Sequence, residues 1–338
     1  MTNYLSTQEM GLNKSSPTQL DVSIVTPIYN EVDSIPQLLE TISTTLRENQ
    51  LTYEIICIDD GSQDGSTKLL TELAEKRTDL KALILRRNYG QTAAMAAGFK
   101  YATGKVVVTL DGDLQNDPAD IPLLLSKLDE GYDLVSGWRK NRQDDAVTRL
   151  LPSKIANWII GRVTGVDLHD YGCSLKAYRL ELVADMNLYG ELHRFLPALA
   201  FIEGARITEM PVNHYARRYG KSKYGLGRTF RVVMDLLTVF FMKKFLTRPM
   251  HVFGMLGFVS GGLGLFFGIY LSILKFGFGE NLADRPLLIL VVVLLLAGLQ
   301  LFSFGLLAEL LMRTYHESQE RPIYRVREVI SGNSEKRE

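Results

Sequence analysis

The decisive stretch of this chain is Val106-Val107-Val108-Thr109-Leu110-Asp111-Gly112-Asp113-Leu114-Gln115. Its first half is a short apolar run typical of a buried strand, and two carboxylates follow it directly. Carboxylate oxygens are ligands that Mg²⁺ and Mn²⁺ prefer, and an ion of this kind can carry a diphosphate group. An isolated Asp-x-Asp also occurs in ordinary strand-to-loop turns, so the rest of the chain has to distinguish a metal site from a turn.

Composition excludes several classes of protein. The 338 residues carry 38 Lys and Arg against 38 Asp and Glu, and this zero net charge argues against a general polyanion binder, so no nucleic-acid partner is expected. Cys57 and Cys173 are the only cysteines, and Cys57 lies in an apolar run, which favours a reducing compartment without disulfides. Residues 1–20 are polar and lack the pattern of a signal peptide, so we expect a disordered leader there.

Two long apolar stretches predict membrane-spanning helices. Residues 252–274 and 286–312 are each long enough to cross a hydrocarbon core of about 30 Å, and neither carries a central charge. A buried helical hairpin of a soluble protein is the alternative. Basic residues flank the two stretches on their outer sides, at Lys243, Lys244, Arg248, Arg313, Arg321, Arg325 and Arg327, whereas the loop between the stretches is balanced in charge. This positive-inside pattern predicts that both termini are cytoplasmic.

Glycine spacing in the first apolar stretch predicts close helix packing. Gly257 and Gly261 form one four-residue pair, and Gly264 and Gly268 form a second. Small residues at this spacing let two membrane helices approach closely. The partner is either the second apolar stretch or another copy of the chain, so the sequence leaves a homo-oligomer open.

Strand-like runs alternate with helix-like segments between residues 21 and about 215. The runs are Val22–Thr26, Glu54–Ile58, Ala82–Leu85, Val106–Leu110 and Asp133–Ser136. This alternation predicts an α/β domain with a mostly parallel sheet, which binds ligands beyond the carboxyl ends of its strands. Polar clusters follow each of the first four runs, at residues 27–31, 59–62, 86–91 and 111–115. The first run is not followed by Gly-x-Gly-x-x-Gly, which counts against a dinucleotide-binding domain.

Two further clusters of polar and charged residues are candidates for ligand binding. Asp59 and Asp60 are adjacent carboxylates that repel each other unless a ligand or donor satisfies them, whereas Ser62, Asp64 and Ser66 fit a turn and helix cap. The basic residues Arg217, Arg218, Lys221 and Lys223, with Ser222 among them, fit a phosphate clamp; a solvated or headgroup-facing loop is the alternative. The histidines His169, His193 and His214 lack the spacing of a zinc site.

Together these motifs resemble the polyprenyl-phosphate branch of the family 2 glycosyltransferases. The resemblance extends from Val22 to Ile330 and includes both apolar stretches. It implies a GT-A-type nucleotide-sugar-binding domain at residues 21–225, a juxtamembrane amphipathic helix at 226–250, a two-helix transmembrane hairpin at 251–313 and a cytoplasmic tail at 314–338. Residues 154–162 and 229–244 mix apolar faces with basic residues, as interfacial helices do, and packing against the soluble domain is the alternative.

The resemblance also assigns roles to single residues. For the nucleotide sugar these are Pro27, Tyr29, Glu31, Asp60, Asp111 and Gln115. Asp113 and Asp111 match the metal motif, which would hold Mg²⁺ or Mn²⁺. Asp113, Asp170 and Arg217 are the implied catalytic residues, and Arg217, Lys221 and Ser222 are assigned to the acceptor phosphate or the donor diphosphate.

The implied reaction is inverting transfer of a sugar from a nucleotide diphosphate to undecaprenyl phosphate at the inner membrane. UDP-glucose is the expected donor, and a UDP-aminoarabinose derivative or GDP-mannose is the alternative. A processive polysaccharide synthase and a non-catalytic nucleotide-sugar-binding module are the competing functions. Because every implied reactive residue precedes residue 226, a fragment ending near Tyr224 is expected to bind UDP yet transfer poorly to acceptor in liposomes.

Overall fold

A computed structural model describes residues 19–140, 157, 160–162, 164–184, 186, 188, 192–216, 249–279, 281, 286–317 and 323–332, without the side chains of 249–252 and 309–317. The strands are β1 (Val22–Ile28), β2 (Tyr53–Asp59), β3 (Leu80–Leu85), β4 (Val106–Thr109), β5 (Leu134–Trp138), β6 (Lys176–Arg179), β7 (Ile207–Pro211) and β8 (Val326–Ile330). The helices are α1 (Ile35–Glu48), α2 (Ser66–Lys76), α3 (Gln91–Tyr101), α4 (Ile121–Asp129), α5 (Leu180–Ala184), α6 (Leu196–Ile202), α7 (Pro249–Phe278) and α8 (Pro286–Glu317). Short 3₁₀ turns occupy Pro118–Asp120 and Leu192–Phe195. The chain divides into two compact units, of which one contains the sheet and the other contains α7 and α8.

The first unit is built on one sheet with the strand order β7-β5-β6-β4-β1-β2-β3-β8. The pairs β1–β2, β1–β4, β2–β3 and β5–β7 are parallel. The pairs β4–β6, β5–β6 and β3–β8 are antiparallel. The five strand-like runs of the sequence all form strands here, so the prediction of a mostly parallel α/β sheet is confirmed.

The sheet is buried on both faces, which explains why its central strands read as continuous apolar runs. Six of the seven residues of β1 are buried, and all four residues of β4 are buried. Helix α1 covers one face with side chains at helical spacing, namely Ile35, Leu38, Leu39, Ile42 and Leu46. Each fully buried aliphatic side chain of this kind contributes about 1.5–3 kcal/mol to folding. This packed core fixes the ends of the strands, and the polar loops start from those ends.

Strand β8 differs from the prediction for its segment. Residues 314–338 were expected to form a tail outside the catalytic domain, but Val326–Ile330 pairs with β3 and forms one edge of the sheet. Ile330 belongs to the main hydrophobic core, and Tyr324 just before the strand is also buried. The sheet-containing unit therefore includes a segment that follows both apolar helices in the chain.

The second unit contains the two apolar helices. Phe253–Phe278 and Pro286–Ala308 have mean hydropathies of 1.8 and 2.8, and only 17% and 11% of their most apolar windows is buried. By length and composition each helix can cross a membrane, as the sequence predicts. Helix α8 continues to Glu317, four residues beyond the predicted end of the hairpin.

Glycines let the two helices approach closely. A Cβ at Gly257 would lie 2.8 Å from the carbonyl oxygen of Gly298, and a Cβ at Gly264 would lie 2.9 Å from Cγ of Leu295. A Cβ at Gly298 would lie 2.7 Å from the amide nitrogen of Gly261. The glycines of the first apolar helix therefore pack against the second apolar helix. This is one of the two partners that the sequence allowed.

The substitution Gly264→Leu is expected to lower the melting temperature of the full-length chain in detergent, because the larger side chain forces overpacking that costs about 1–3 kcal/mol. Gly262→Leu is the matched control, since a Cβ at Gly262 meets no described atom within 4 Å. Leucine raises helix propensity equally at both positions, so only packing distinguishes them. Equal melting temperatures for the two variants would show that Gly264 has no packing role.

Candidate active site

The loops that follow the first four strands meet at one edge of the sheet and line a cleft. Its lining residues are Pro27, Ile28, Tyr29, Glu31, Asp60, Asn88, Gly90, Gln91, Asp111, Gly112 and Asp113. The structure thus brings together six of the residues that the sequence singled out, from Pro27 to Asp113. Gln115 and Asp170 do not line this cleft, whereas Arg217, Lys221 and Ser222 fall outside the described residues.

The loops after β1 and β2 are locked to each other by side chains. The backbone N–H of Asn30 donates to Ser62 Oγ at 2.9 Å, and that of Glu31 donates to Ser66 Oγ at 3.0 Å. The N–H of Gln63 donates in return to Asn30 Oδ1 at 2.7 Å. Asn30 adopts a φ of 54°, a left-handed conformation that asparagine tolerates better than most residues. Ser62 and Ser66 therefore have a structural role, in which they orient Glu31 and its neighbours. The predicted helix cap is wrong for them, because the N-cap residue of α2 is Gly65.

Asp60 is held by the loop that follows β3. It is buried, and it accepts hydrogen bonds from the backbone N–H groups of Tyr89 at 2.7 Å and Gly90 at 2.9 Å. Burial raises the pKa of Asp60, the two N–H donors oppose that effect, and the neighbouring charge of Asp59 adds to it. Asp59 has separate donors, the Ser62 N–H and the Thr67 hydroxyl. Different partners thus satisfy the two adjacent carboxylates.

A glycine makes this contact between loops possible. Gly61 has a φ of +72°, and a Cβ there would lie 2.6 Å from the backbone nitrogen of Asn88. Any other residue would push the 86–91 loop away from Asp60. The loop after β3 therefore packs directly against the backbone that follows β2.

Asp111 and Asp113 lie at the carboxyl end of β4, as predicted. Asp111 accepts a hydrogen bond from Gln91 Nε2 at 2.7 Å, and Asp113 is buried. Protein atoms surround the Asp111 carboxylate closely, so desolvation raises its pKa to about 6, and the charge of Asp113 adds to the effect. Leu114 follows with a φ of 59°, an uncommon conformation for a leucine. The loop thus holds two mutually repelling carboxylates beside the cleft.

This acidic pair fits a divalent cation. Among the described residues, no group of three or more His, Cys, Asp or Glu side chains is arranged to hold a metal. Two carboxylates suffice when a bound diphosphate supplies further oxygens, as is common for Mg²⁺. Desolvation first and the charge of Asp113 second raise the pKa of Asp111, and a bound cation would offset both effects. Asp113 and Asp111 are therefore the described residues suited to Mg²⁺ or Mn²⁺.

A buried ion pair that the sequence did not predict lies near the acidic pair. Arg139 binds Asp170 in a bidentate manner, with Nε to Oδ2 at 2.7 Å and Nη2 to Oδ1 at 3.0 Å. Lys176 on β6 is also buried, and its ammonium donates to the carbonyl oxygens of Tyr171 and Cys173. Both cations lower the pKa of Asp111 electrostatically. The sequence gives only a weak signal here, because Lys176 begins a four-residue strand that ends in a second basic residue, Arg179.

Asp170 is poorly suited to act as a base in this arrangement. Burial favours a raised pKa, but the hydrogen bonds and charge of Arg139, with help from Lys176, outweigh it and hold the pKa of Asp170 below its usual value. The Gly172 N–H also donates to Asp170 Oδ1 at 3.0 Å. The carboxylate thus has little tendency to take a proton, and its contacts orient Arg139.

Gln115 links the metal-motif loop to the segment that precedes Arg217. Its carbonyl accepts from the N–H of Tyr215 at 2.8 Å, and its Nε2 donates to the Tyr215 carbonyl at 3.3 Å. Asn116 and His214 form an adjacent antiparallel bridge. His214 and Tyr215 therefore lie beside the Asp111–Gln115 loop.

Comparison with known proteins agrees with this architecture. The model of the family described as Glycosyl transferase family 2 matches residues 23–186. Dodecaprenyl-phosphate galacturonate synthase of Rhizobium johnstonii is 44% identical over 95% of this chain and 96% of its own length. Undecaprenyl-phosphate 4-deoxy-4-formamido-L-arabinose transferase of Klebsiella pneumoniae is 41% identical over 93% of this chain and 95% of its own.

Solved structures support the fold. Glucosyl-3-phosphoglycerate synthase from Mycobacterium tuberculosis, in a complex with Mn²⁺, UDP and phosphoglyceric acid, superposes with a TM-score of 0.50 at 18% identity. The superposition covers 66% of this chain and 78% of that one. The prediction of a GT-A-like domain is confirmed, and so is the predicted family. The chain belongs to glycosyl transferase family 2.

Proposed function

We propose that this protein transfers a sugar from a nucleotide diphosphate donor to a polyprenyl phosphate at a membrane surface. The observation that carries the proposal is the pair Asp111 and Asp113 at the carboxyl end of β4, in a cleft that the loops after β1, β2 and β3 complete. Both relatives described above are named for sugar transfer to a polyprenyl phosphate, and both match over nearly the whole chain. The apolar helices α7 and α8 suit an enzyme whose acceptor keeps its tail in a bilayer.

The chemistry requires no strong base in the protein. A phosphate monoester has a second pKa of about 6 and is largely dianionic at neutral pH, so its oxygen can attack the anomeric carbon directly. The lowered pKa of Asp170 agrees with this requirement. A divalent ion held by Asp113 and Asp111 would neutralise the departing diphosphate. Direct displacement gives a product of inverted configuration.

Arg217, Lys221 and Ser222 are the proposed contacts for the acceptor phosphate or the donor diphosphate. A guanidinium binds phosphate oxygens in a bidentate manner, and a nearby ammonium and hydroxyl add donors. Support comes from the hydrogen bonds between Tyr215 and Gln115, since Arg217 follows Tyr215 by two residues in the chain. Pro27, Tyr29, Glu31 and Asp60 are the proposed contacts for the nucleoside.

The donor we favour is UDP-galacturonate rather than the UDP-glucose expected from the sequence. The relatives are named for galacturonate and for formamidoarabinose, and the galacturonate enzyme has the higher identity of the two described. UDP-formamidoarabinose is the second choice, followed by UDP-glucose and GDP-mannose. Inner-membrane location, with two spans and both termini cytoplasmic, completes the proposal and rests on the basic residues outside the spans.

A donor panel tests the proposal. The purified full-length chain is incubated with undecaprenyl phosphate, Mg²⁺ or Mn²⁺, and each of the four nucleotide sugars, and lipid-linked sugar is measured. We expect product with UDP-galacturonate and none without the lipid acceptor. UDP binding with no product from any donor would favour a non-catalytic binding module, and a growing glycan chain would indicate a processive synthase.

A further inference from the structure

The C-terminal strand β8 is attached to the loop that forms one wall of the cleft. Its pairing with β3 runs from Ala82 opposite Ile330 to Leu85 opposite Val326, with a register shift between Ile84 and Leu85. One more hydrogen bond continues past the end of β3, because the N–H of Arg86 donates to the Arg325 carbonyl at 3.1 Å. The pairing therefore extends to the first residue of the 86–91 loop.

The later residues of that loop either line the cleft or bind one of its carboxylates. Asn88 and Gly90 line the cleft, and the N–H groups of Tyr89 and Gly90 bind the Asp60 carboxylate. Gln91 ends the loop and binds Asp111. One end of the loop is thus fixed by β8, and the other end holds two carboxylates proposed for the donor and the metal.

Within β8 itself, Ile330 is the buried residue. Ile330 is only 9% exposed and joins the main core, whereas its neighbour Val329 is 43% exposed on the outward side. Gly332 follows closely, since a Cβ there would lie 2.8 Å from the Arg77 carbonyl oxygen. Loss of the Ile330 contact would release the strand and, with it, the bond to Arg86.

We propose that Ile330 and the Arg325 carbonyl are positioning residues of the donor site, which act through the Arg86 amide and the 86–91 loop. This inference rests on the proposed function only in the identity of the ligand, a nucleoside diphosphate. Strand β8 follows both apolar helices in the chain, so the donor cleft depends on a segment that is distant in sequence from every residue lining it.

The test uses the full-length chain in detergent with UDP and Mn²⁺. The variant Ile330→Asp should raise the Kd for UDP and the KM for the donor about tenfold, as expected for loss of one or two ordered contacts, with the KM for undecaprenyl phosphate unchanged. Val329→Asp is the matched control on the exposed side of the same strand, and Ile330→Val should restore wild-type values. A purely structural role would instead lower the active fraction, and hence kcat, at unchanged KM and Kd.

A second variant removes the hydrogen bond between the Arg86 N–H and the Arg325 carbonyl, and it tests the inference even if Ile330→Asp fails to fold. Arg86→Pro lacks the N–H that Arg325 accepts, while Arg86→Ala keeps it and should bind UDP more tightly than the proline variant. Hydrogen exchange of the Tyr89 and Gly90 amides should accelerate in Arg86→Pro, with the amides of β1 and β2 still protected.

Unchanged Kd for UDP and unchanged exchange at Tyr89 and Gly90 in Arg86→Pro would overturn the inference. If the wild-type chain binds no UDP, the proposed function fails, and the exchange of these two amides still decides whether β8 positions the loop.

Discussion

Asp113→Asn is expected to lower the rate of sugar transfer about 10²–10³-fold, the largest effect of any single substitution considered. Asparagine preserves the shape of the side chain but replaces an anionic oxygen with a neutral amide, which is a weaker ligand for Mg²⁺ or Mn²⁺. Initial rates are measured with the best donor of the panel, undecaprenyl phosphate and saturating metal. EDTA should abolish the wild-type rate, and added Mg²⁺ or Mn²⁺ should restore it.

The same substitution should not destabilise the fold. The charge of Asp113 raises the pKa of Asp111, so the two carboxylates repel each other in the metal-free protein. Removing one charge relieves that repulsion, and the melting temperature without metal should stay equal or rise. Asp129→Asn is the control, because this carboxylate is 74% exposed at the end of α4. Wild-type rates in Asp113→Asn together with resistance to EDTA would contradict the metal assignment.

The parts of the site that the sequence predicted share one physical origin. Asp60, Asp111 and Glu31 come shortly after the ends of strands whose apolar runs are unambiguous, and parallel strands bring their carboxyl ends to one edge. The position of each polar cluster therefore followed from the position of its strand. The turn residues Ser62 and Ser66 were readable as structural, but their partners were not, because they accept from the backbone N–H groups of Asn30 and Glu31, 32 and 35 residues away.

The parts that were missed depend on contacts between distant segments. Arg139 pairs with Asp170, 31 residues further on, and nothing local to either residue identifies the partner. Strand β6 is only four residues long and contains the buried Lys176, so its apolar pattern is weak. Strand β8 has an exposed middle, Arg327, Glu328 and Val329, because it is an edge strand, and edge strands commonly carry charge.

Strand β8 changes the expectation for a fragment that ends at Tyr224. Such a fragment lacks the strand, so the β3 edge loses its partner and the core loses Ile330 and Tyr324. Burial of each of these side chains contributes about 1.5–3 kcal/mol, a large share of a typical domain stability of about 5–15 kcal/mol. An unpaired apolar edge also promotes aggregation. We therefore expect the fragment to aggregate or to bind UDP at least about tenfold more weakly than the full-length chain.

Returning the strand to the fragment should reverse this loss. A chain in which residues 1–224 are joined to residues 323–338 by a Gly/Ser linker of roughly 25 residues, about 25–30 Å in average span, regains β8 without either apolar helix. A second fusion carrying Ile330→Asp keeps the same length and composition but lacks the buried anchor. The first fusion should be monodisperse and bind UDP with Mn²⁺ as the full-length chain does, whereas the second should behave like the fragment. Full UDP affinity in the fragment alone would show that the donor cleft forms without β8, in line with the cytoplasmic tail that the sequence predicts at residues 314–338.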